Sequence, residues 1–425
     1  MDRRTFLKST SSFATATTLA TALNSETLAA EPQPLPFRDE ASGLKITGVR
    51  AVRTRPKNPP PSYEPTPGSW STGGVEVANP MSVYPKYKAM RSLFMADDLG
   101  PSAVEITTDK GITGIGFGGA GAGFVVDHHL AKLLVGEDPF DIERLWDTMW
   151  RSTLYYGRKG LVVHGISAVD LALWDIIGIA LGQPVWKLLG GETKPRIPAY
   201  CTGNDLEQHV EFGYTKLKLA LPYGPADGRE GIEKNMALVE RARKLLGPDG
   251  EVMLDCWMAL TERYTLELAE ALEPYRVYWM EECLPPDDYA GMGRLKSAIS
   301  STRMATGEHE YTRYGFRLLL DHDAAEIWQP DMSWCGGLTE VRRIGALAAA
   351  HDIPVILHGG WREGGMHYIM ATTNSPWCES FLPAPGGPSE VYRRFEEDNN
   401  VTRGPEGIYV RPSDRPGFGW DVVVD

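Results

Sequence analysis

Carboxylate side chains stand at the ends of successive apolar runs in the second half of the chain. Asp255, Glu281 and Glu308 end the runs EVMLD, VYWME and RMATGE. Three carboxylates that meet away from water repel one another, and a hard divalent cation with oxygen ligands, such as Mg²⁺, removes that conflict. The three residues are therefore predicted to bind Mg²⁺. The alternative is that each forms an ordinary salt bridge with a lysine or an arginine.

Candidate bases occupy equivalent positions on the neighbouring runs. Lys216 and Lys218 lie two residues apart in the run TKLKLAL, so they share one face of a strand. Asp331 and His358 end two later runs, and a carboxylate beside an imidazole fixes its tautomer and raises its basicity. Glu379 lies in the last run. A metal flanked by a lysine and a histidine suits removal of the weakly acidic proton α to a carboxylate, because the metal takes up the enediolate charge.

The elements that must position these groups are eight short apolar runs that alternate with helical segments. The runs are RIPAYCTG, TKLKLAL, EVMLDCW, VYWMEEC, RMATGEH, AEIWQPD, IPVILHGG and PWCESF. Nearly continuous apolar runs are typical of parallel strands covered on both faces, and eight of them separated by helices predict a βα barrel. In a barrel the carboxyl ends of the strands meet at one mouth, where the polar groups would share one site. A doubly wound open sheet is the structural alternative.

The segment before the barrel has a different pattern and predicts a separate α+β unit. LKITGVRAVRTR and AVEITTDKGITGIGFG alternate as strands do, and the following residues have helical periodicity. A long loop rich in Pro, Gly and Ser separates the two strand-like segments, and such loops are often functional lids. GIGFGG, residues 114–119, matches a dinucleotide-binding pattern, but no second βαβ strand follows it.

The first 30 residues are predicted to be a twin-arginine export signal. MDRRTFLKS carries the arginine pair, and the weakly apolar SSFATATTLATAL and small residues up to Ala30 follow it. The mature protein is then expected in the periplasm or outside the cell. No run reaches the ~18 apolar residues of a membrane span, so no membrane is expected as a partner of the mature form.

Net charge excludes some classes of binding partner, and the cysteine spacing indicates the state of the thiols. The formal net charge of −13 argues against nucleic acid and anionic membranes as partners, but a local site can still bind a small anionic substrate. The five cysteines form no CxxC pair and no zinc-thiolate spacing, which indicates buried free thiols.

Seven segments together resemble the enolase superfamily, in its mandelate racemase/muconate lactonizing enzyme branch, and within it the sugar-acid dehydratases of the rhamnonate type. They are STLYYGRKGLVVHGISAVDLALWD, GQPVWKLLGG, LDCWM, EECLPPDDY, TGEHE, QPDMSWCGGLTEV and RPGFGW. The resemblance implies an α+β capping domain at residues 44–185 and a (β/α)7β TIM-like barrel at residues 186–385. The C-terminal segment, residues 386–425, would return to the capping domain and complete it. A homo-oligomer is also expected.

The resemblance further implies roles for individual residues. Asp255, Glu281 and Glu308 would bind Mg²⁺, and His358, with Asp331 as its partner, would act as base and then as general acid. Glu379 would stabilise the enolate or hold the carboxylate side of the substrate, and Lys218 matches a lysine of the second strand. The residues expected to contact substrate are Arg91 in the capping domain, His309, Trp361 and Arg362. On a strand Glu281 and Glu282 point to opposite faces, so Glu282 is expected to turn away from the metal.

The predicted function is a Mg²⁺-dependent dehydratase, a carbon–oxygen lyase that converts a sugar acid such as an aldonate to a 2-keto-3-deoxy acid. The enzymatic alternative is a racemase, epimerase or cycloisomerase that uses Lys218 and His358 on opposite faces of a carboxylate substrate. The non-enzymatic alternative is an exported binding protein without turnover. Two departures from the family fall where specificity is set: Ser69 and Trp70 stand in a capping loop that carries a histidine in the family, and GGWREGGMHY follows His358.

Overall fold

The structure, a computed structural model, describes residues 43–70, 72, 75–88, 99–361 and 364–425. The predicted export signal, Arg91 and Arg362 therefore lie outside the described residues. The strands are β1 (Ile46–Val52), β2 (Thr54–Pro56), β3 (Ala103–Thr108), β4 (Thr113–Phe117), β5 (Ile197–Thr202), β6 (Lys216–Ala220), β7 (Glu251–Asp255), β8 (Trp279–Glu281), β9 (Arg303–Thr306), β10 (Ile327–Trp328), β11 (Cys378–Ser380), β12 (Thr402–Gly404), β13 (Gly407–Val410) and β14 (Val422–Val424).

Helices alternate with the barrel strands and also form most of the second half of the capping unit. The α-helices are Ala122–Val125, Ala131–Leu134, Ile142–Thr153, Leu161–Ala180, Val185–Leu188, Leu206–Phe212, Gly228–Leu246, Glu262–Leu272, Tyr289–Ala298, Thr312–Asp321, Gly337–Ala349, Gly365–Ala371 and Ser389–Asp398. A π-helical segment, Val126–Leu130, joins the first two of them.

The capping unit is an antiparallel sheet, in the order β1-β3-β4, packed against the helix Leu161–Ala180. That helix is long and apolar enough to cross a membrane, but 89% of its apolar window is buried inside the protein. A helix that is apolar on all sides must be covered on all sides, so this one is the core helix of the capping unit. Its neighbours bury it between the capping sheet and the barrel helix Gly337–Ala349.

The glycines of GIGFGG allow strand β4 to lie directly on the helix backbone. A Cβ atom on Gly114, Gly116 or Gly118 would come within 2.0–2.3 Å of a backbone carbonyl oxygen of the helix Leu161–Ala180. The alternate spacing places these glycines on the face of the strand that meets the helix. The motif therefore serves close strand–helix packing, and the dinucleotide interpretation is not supported.

Replacing Gly116 by alanine is expected to destabilise the protein by about 3 kcal/mol or more, because the added methyl group cannot be accommodated without separating the strand from the helix. Its Cβ would lie 2.0 Å from the carbonyl oxygen of Ala168. Chemical denaturation measures the loss. Gly224→Ala is the matched control, since its Cβ would come no closer than 3.6 Å to another residue. Equal stability of the two variants would contradict the packing argument.

The second half of the chain forms the predicted barrel. Strands β5 to β10 pair in parallel in chain order, and β11 pairs in parallel with β5. The seventh run, IPVILHGG, joins β10 through parallel bridges at Trp328–Val355 and Asp331–His358. The prediction of a TIM-like barrel with an N-terminal capping unit is thus confirmed, and the open doubly wound sheet is wrong.

An apolar cluster fills the interior of the barrel below its mouth. Its members come from five of the strands and the seventh run, and they are Tyr200, Met253, Trp279, Ala305, Ile327 and Ile356. All five cysteines are free and buried, which confirms the interpretation of the cysteine pattern. The barrel is therefore a packed core and not a channel, so a ligand can enter only from the mouth.

The C-terminal segment divides between the barrel and the capping unit. Strands β12 and β13 form a hairpin that pairs antiparallel with β5 at Ile197 and Pro198. Gly386 and Gly387 lie against Thr66 and Tyr63 of the capping unit. The last residues reach it again, where β14 pairs with β2 and the indole N–H of Trp420 donates to the carbonyl oxygen of Ile115. The expected return to the capping unit is thus interrupted by a hairpin that extends the barrel sheet.

His367 fixes this returning segment and makes the fold sensitive to acid. Its Nδ1 accepts a hydrogen bond from the backbone N–H of Trp186 at 3.1 Å, and its Nε2 donates to the carbonyl oxygen of Phe418 at 3.2 Å. Burial lowers the pKa of His367 to about 4. Both ring nitrogens are hydrogen-bonded to backbone groups and the side chain is buried, so the imidazole is a structural group.

Because the folded pKa lies below that of the unfolded chain, the contribution of His367 is complete above about pH 6.5 and is lost as the pH falls towards 4. The loss should amount to about 3 kcal/mol. His367→Gln is expected to be less stable at pH 7 but to lose less stability over that pH range. Urea unfolding between pH 7.5 and pH 4.5 tests this, with the exposed His128→Gln as control. Parallel pH profiles for wild type and His367→Gln would refute the assignment.

Candidate active site

The three predicted metal ligands meet at the mouth of the barrel. Asp255 and Glu281 are the last residues of β7 and β8 and are paired in register, and Glu308 follows β9. One oxygen atom from each of the three carboxylates lies within 4.8 Å of the others. Burial raises the pKa of all three, to about 6 for Asp255 and to about 7 for Glu281 and Glu308. The mouth therefore gathers more negative charge than its environment solvates.

This donor set fits Mg²⁺. The ligand atoms are all carboxylate oxygens, which is the chemistry that Mg²⁺ prefers, and they come from three adjacent strands of a rigid sheet. Within the part of the chain that the structure describes, Lys218 is the only lysine or arginine that forms a salt bridge with any of the three. A second cation would balance the remaining charge. The salt-bridge alternative accounts for Glu281 but not for Glu308.

Lys218 lies below the metal ligands and does not face the cavity. Its Nζ is 2.7 Å from Glu281 Oε1, 2.9 Å from Glu379 Oε1 and 3.9 Å from Asp255 Oδ2, and its side chain is 1% exposed. Burial disfavours the charged amine, but the carboxylates of Glu281 and Glu379 outweigh it and raise the pKa well above the ordinary value. The ammonium group is enclosed by these carboxylates and does not reach the cavity, so its contacts hold Glu281 and Glu379 in place.

Lys216 is not brought to the site. Its Nζ lies 3.2 Å from the carbonyl oxygen of Glu406 and over the ring of Trp377, towards the amino-terminal end of the barrel. The register explains both lysines. Ala220, and neither lysine, stands beside Asp255 on the neighbouring strand, so Lys218 lies two residues and Lys216 four residues below the level of Asp255.

His358 and Asp331 form the predicted pair. The Nδ1 of His358 lies 2.7 Å from Asp331 Oδ2, and its Nε2 lies 3.1 Å from Glu308 Oε1. Burial alone would lower the pKa of the imidazole, but Glu308 and the hydrogen bond to Asp331 raise it above its ordinary value. The side chain is 17% exposed, so Nε2 is a basic nitrogen at the boundary between the three predicted metal ligands and the cavity.

Glu379 is held in place by an ion pair and two hydrogen bonds. One oxygen contacts Lys218 and accepts from the hydroxyl of Thr202, and the other accepts from the backbone N–H of Gly359 at 2.6 Å. Burial would raise its pKa, but Lys218 and His358 lower it to about 2. Glu379 is therefore a fixed negative charge with little freedom to reorient, and it is completely buried.

Glu282 does not turn away from the mouth as the strand pattern predicts. Its φ is +44°, so the alternation of faces ends at Glu281 and the side chain swings back towards the site. Glu282 accepts from the backbone N–H of His309 at 3.1 Å and lies 2.7 Å from its Nδ1. Glu282, Glu308 and His309 thus form a second group of possible ligand atoms. The first group fits Mg²⁺ better because it is all-oxygen.

A cavity of about 530 Å³ lies between the barrel mouth and the capping unit. The barrel contributes Asp331, Trp334, His358 and Phe381 to its lining, and the capping unit contributes Arg53, Ser102 and Gly118 to Ala120. The ring of Trp334 lies 5.2 Å from that of His358 and 5.4 Å from that of His309. His309 thus lies beside a residue that lines the cavity, and its predicted contact with substrate stays a prediction.

Sequence patterns did not single out two of the lining residues, Arg53 and Trp334. Trp334 belongs to the segment QPDMSWCGGLTEV, which supports the resemblance but assigns this residue no role. Arg53 directly follows the first strand, and no motif surrounds it. Trp361, a predicted substrate contact, packs against Phe381 and Phe395 at centroid distances of 6.3 and 6.5 Å. Arg91 and Arg362 lie outside the described residues, and their predicted contacts with substrate stay predictions.

Comparisons with known proteins agree with this architecture. Residues 203–425 match a family described as "Enolase C-terminal domain-like", and residues 95–190 match the "Mandelate racemase / muconate lactonizing enzyme, N-terminal domain". L-rhamnonate dehydratase of Saccharopolyspora erythraea is 43% identical over 81% of this chain and 88% of its own length. The putative L-rhamnonate dehydratase of Caldivirga maquilingensis is 39% identical over 82% of this chain and 88% of its own.

Solved structures give the same result. Rhamnonate dehydratase from Gibberella zeae, in complex with Mg, has a TM-score of 0.77 and 35% identity, and the match covers 90% of this chain and 94% of that one. A 3,6-anhydro-D-galactonate cycloisomerase from Zobellia galactanivorans has a TM-score of 0.64 and 31% identity, over 76% of this chain and 91% of that one. The fold therefore serves more than one reaction among these relatives.

Proposed function

Because this chain belongs to the mandelate racemase/muconate lactonizing enzyme family of the enolase superfamily, we propose that it is a Mg²⁺-dependent dehydratase of a sugar acid of the L-rhamnonate type. The observation that carries the proposal is the His358–Asp331 pair: Asp331 holds Nδ1 of the imidazole, and Nε2 lies 3.1 Å from Glu308, one of the three predicted metal ligands, at the edge of the cavity. A basic nitrogen beside three clustered carboxylates is the arrangement that removal of a proton α to a carboxylate requires.

The residues divide the reaction between them. Asp255, Glu281 and Glu308 would hold Mg²⁺, which supplies positive charge where the substrate carboxylate gains negative charge. His358 Nε2 takes the C2 proton while Asp331 holds Nδ1 and keeps the ring oriented. The same imidazolium then gives its proton to the C3 hydroxyl as the C3–O bond breaks and water leaves. The resulting enol becomes a 2-keto-3-deoxy acid, so the enzyme is a hydro-lyase.

Racemization requires a second base on the opposite face of the substrate, and Lys218 was the candidate. The side chain of Lys218 is 1% exposed and is ion-paired with Glu281 and Glu379. Ala220, which stands level with Asp255, carries no base. Among the described residues the geometry therefore places His358, and not Lys218, as a base at the cavity, which favours elimination over the two-base racemase, epimerase or cycloisomerase alternative.

A substrate panel tests the proposal. Purified protein with Mg²⁺ is incubated with aldonic acids of different configuration, and 2-keto-3-deoxy products are detected as semicarbazones. At least one acid should be dehydrated, and EDTA should stop the reaction. Absence of any product across the panel would contradict the proposal. Exchange of the α-proton with D₂O, with the substrate skeleton intact, would favour the racemase alternative.

We also propose that the protein is a homo-oligomer. Several large hydrophobic side chains are exposed around one groove formed by Tyr155 (85% exposed), Leu154, Tyr156 and Tyr314. An exposed apolar patch of this kind is typical of a protein–protein interface, and a second copy of the chain is the occupant proposed here. Light scattering after size exclusion should give more than the monomer mass, and Tyr155→Glu should lower it. A monomeric wild type would refute this proposal.

Export through the twin-arginine route is likewise proposed, on the strength of Arg3, Arg4 and the residues that follow them. A fusion of residues 1–30 to a reporter protein should place the reporter in the periplasm. Arg3→Lys together with Arg4→Lys should keep it in the cytoplasm, because the paired arginines are the feature that the export route requires. Cytoplasmic retention of the unmodified fusion would contradict the proposal.

A further inference from the structure

The turn that carries Glu308 and His309 ends in a buried carboxylate, that of Glu310. The backbone N–H of Glu310 donates to the carbonyl oxygen of Gly307 at 3.2 Å, which closes the turn around the other two residues. The carboxylate of Glu310 accepts from the backbone N–H of Tyr311 at 2.7 Å, and its side chain is 2% exposed. Glu310 is therefore the fixed end of a turn that contains a predicted metal ligand.

The positive charge that balances Glu310 comes from Lys159, in the turn that precedes the capping-unit helix Leu161–Ala180. The Nζ of Lys159 lies 3.1 Å from Glu310 Oε1 and 2.8 Å from the hydroxyl oxygen of Tyr289, and that hydroxyl donates to Glu310 Oε2 at 2.6 Å. Nζ also pairs with Asp287 at 2.7 Å. Among the residues that the structure describes, Lys159 is the only ion-pair partner of Glu310. A buried carboxylate of the barrel thus depends on a cation of the capping unit.

A second contact from the same part of the capping unit holds the residue that follows Glu310. The Nε2 of His164 lies 3.3 Å from the hydroxyl oxygen of Tyr311, and its Nδ1 lies 3.1 Å from the carbonyl oxygen of Ala120, which lines the cavity. The His164 ring also packs against Trp334 at a centroid distance of 6.0 Å. One short stretch of the capping unit therefore holds two adjacent barrel residues next to the cavity.

We propose that Lys159 is a positioning residue for the metal site, an inference that rests on the proposed function for its Mg²⁺ but not for its substrate. Lys159 and Glu310, here called the clamp, hold the turn so that Glu308 is in place to bind Mg²⁺. Without Lys159 an uncompensated charge would be buried at the end of the turn, so Glu310 would leave its place and the turn would move with it. Lys159 does not line the cavity, so it acts through Glu310.

Isothermal titration of the full protein with Mg²⁺, in the absence of substrate, tests the clamp. Lys159→Met and Glu310→Ala should each weaken Mg²⁺ binding by about 10-fold, the lower end of the loss that follows removal of a group behind a metal ligand. The double variant should bind Mg²⁺ no more weakly than either single variant, because both changes release the same clamp. Lys159→Arg keeps the positive charge and should retain most of the affinity.

Asp287→Ala is the matched control. Asp287 also contacts Lys159, but its side chain is 83% exposed, so this ion pair contributes little and Mg²⁺ affinity should equal that of the wild type. Lys159 lines the groove that is proposed as the interface between copies, whereas Glu310 does not. Glu310→Ala therefore tests the clamp even where Lys159→Met changes assembly or does not fold.

Wild-type Mg²⁺ affinity in both single variants, with only a lower unfolding temperature, would overturn the proposal, because the ion pair would then be a purely structural contact. Losses of affinity that add in the double variant would also overturn it, since Lys159 and Glu310 would act independently. These results would leave the dehydratase assignment intact, because the substrate panel tests that assignment separately. A panel without any product would overturn the dehydratase assignment and would not change the Mg²⁺ titration.

Discussion

His358→Asn is expected to lower kcat for dehydration by about 10³-fold, because the protein would lose the group that removes the C2 proton and later protonates the leaving hydroxyl. Asparagine can keep a hydrogen bond to Asp331, which lies 2.7 Å from the imidazole, but it cannot accept a proton from carbon. Exchange of the α-proton with D₂O should disappear together with dehydration, since both begin with the same proton transfer.

The control for this substitution is His128→Asn, at an exposed helical position in the capping unit. It should leave kcat unchanged. Asp331→Asn should lower kcat less than His358→Asn, because the base is still present but its orientation and basicity are reduced. If His358→Asn kept wild-type activity, His358 would not be the base. If α-proton exchange persisted without dehydration, another residue would have to remove the proton.

Glu281→Gln is expected to weaken Mg²⁺ binding and to abolish measurable activity at moderate Mg²⁺ concentration. Removing a residue that only hydrogen-bonds to a metal ligand already costs about 10- to 100-fold in metal affinity. Removing the charge of a ligand itself should cost more. The neutral amide also removes one partner of Lys218, which would keep Glu379 at 2.9 Å. Isothermal titration with Mg²⁺ measures the affinity, and circular dichroism shows whether the variant is folded.

Glu282→Gln is the matched control, because the two glutamates are adjacent in sequence and both are buried. Glu282 is hydrogen-bonded to His309 and is not one of the three carboxylates of the all-oxygen group, so its replacement should spare most of the Mg²⁺ affinity and change KM through His309. If Glu282→Gln cost as much Mg²⁺ affinity as Glu281→Gln, the metal would lie in the group formed by Glu282, Glu308 and His309. Unchanged Mg²⁺ binding in Glu281→Gln would exclude Glu281 as a ligand.

The consequences for function differ between the two halves of the site. Asp255, Glu281, Glu308, Asp331 and His358 lie at the ends of the barrel strands, which suits a step that requires fixed positions of the reacting groups. The loop that carries Ser69 and Trp70 belongs to the capping unit and is held by hydrogen bonds to the barrel. A change in that loop can therefore alter the cavity without moving the residues proposed to remove the proton.

The amino-acid sequence by itself determined the barrel and the groups at its mouth. Apolar runs of strand length can be buried only if a sheet is covered on both faces, and a polar residue that ends such a run must lie where the strand leaves the core. Asp255, Glu281, Glu308, Asp331 and His358 follow from that pattern, because each ends a run. Strand alternation likewise placed Lys216 and Lys218 on one face.

Tertiary structure alone decided the height of each side chain along the barrel and the contacts across domains. Alternation gives the face of a strand but not its register against its neighbours, so it could not show that Ala220, rather than Lys218, lies level with Asp255. It could not give the positive φ that returns Glu282 to the mouth. Nor could it bring Trp70 onto Phe381, because that contact joins residues far apart in sequence through the packing of one domain on another.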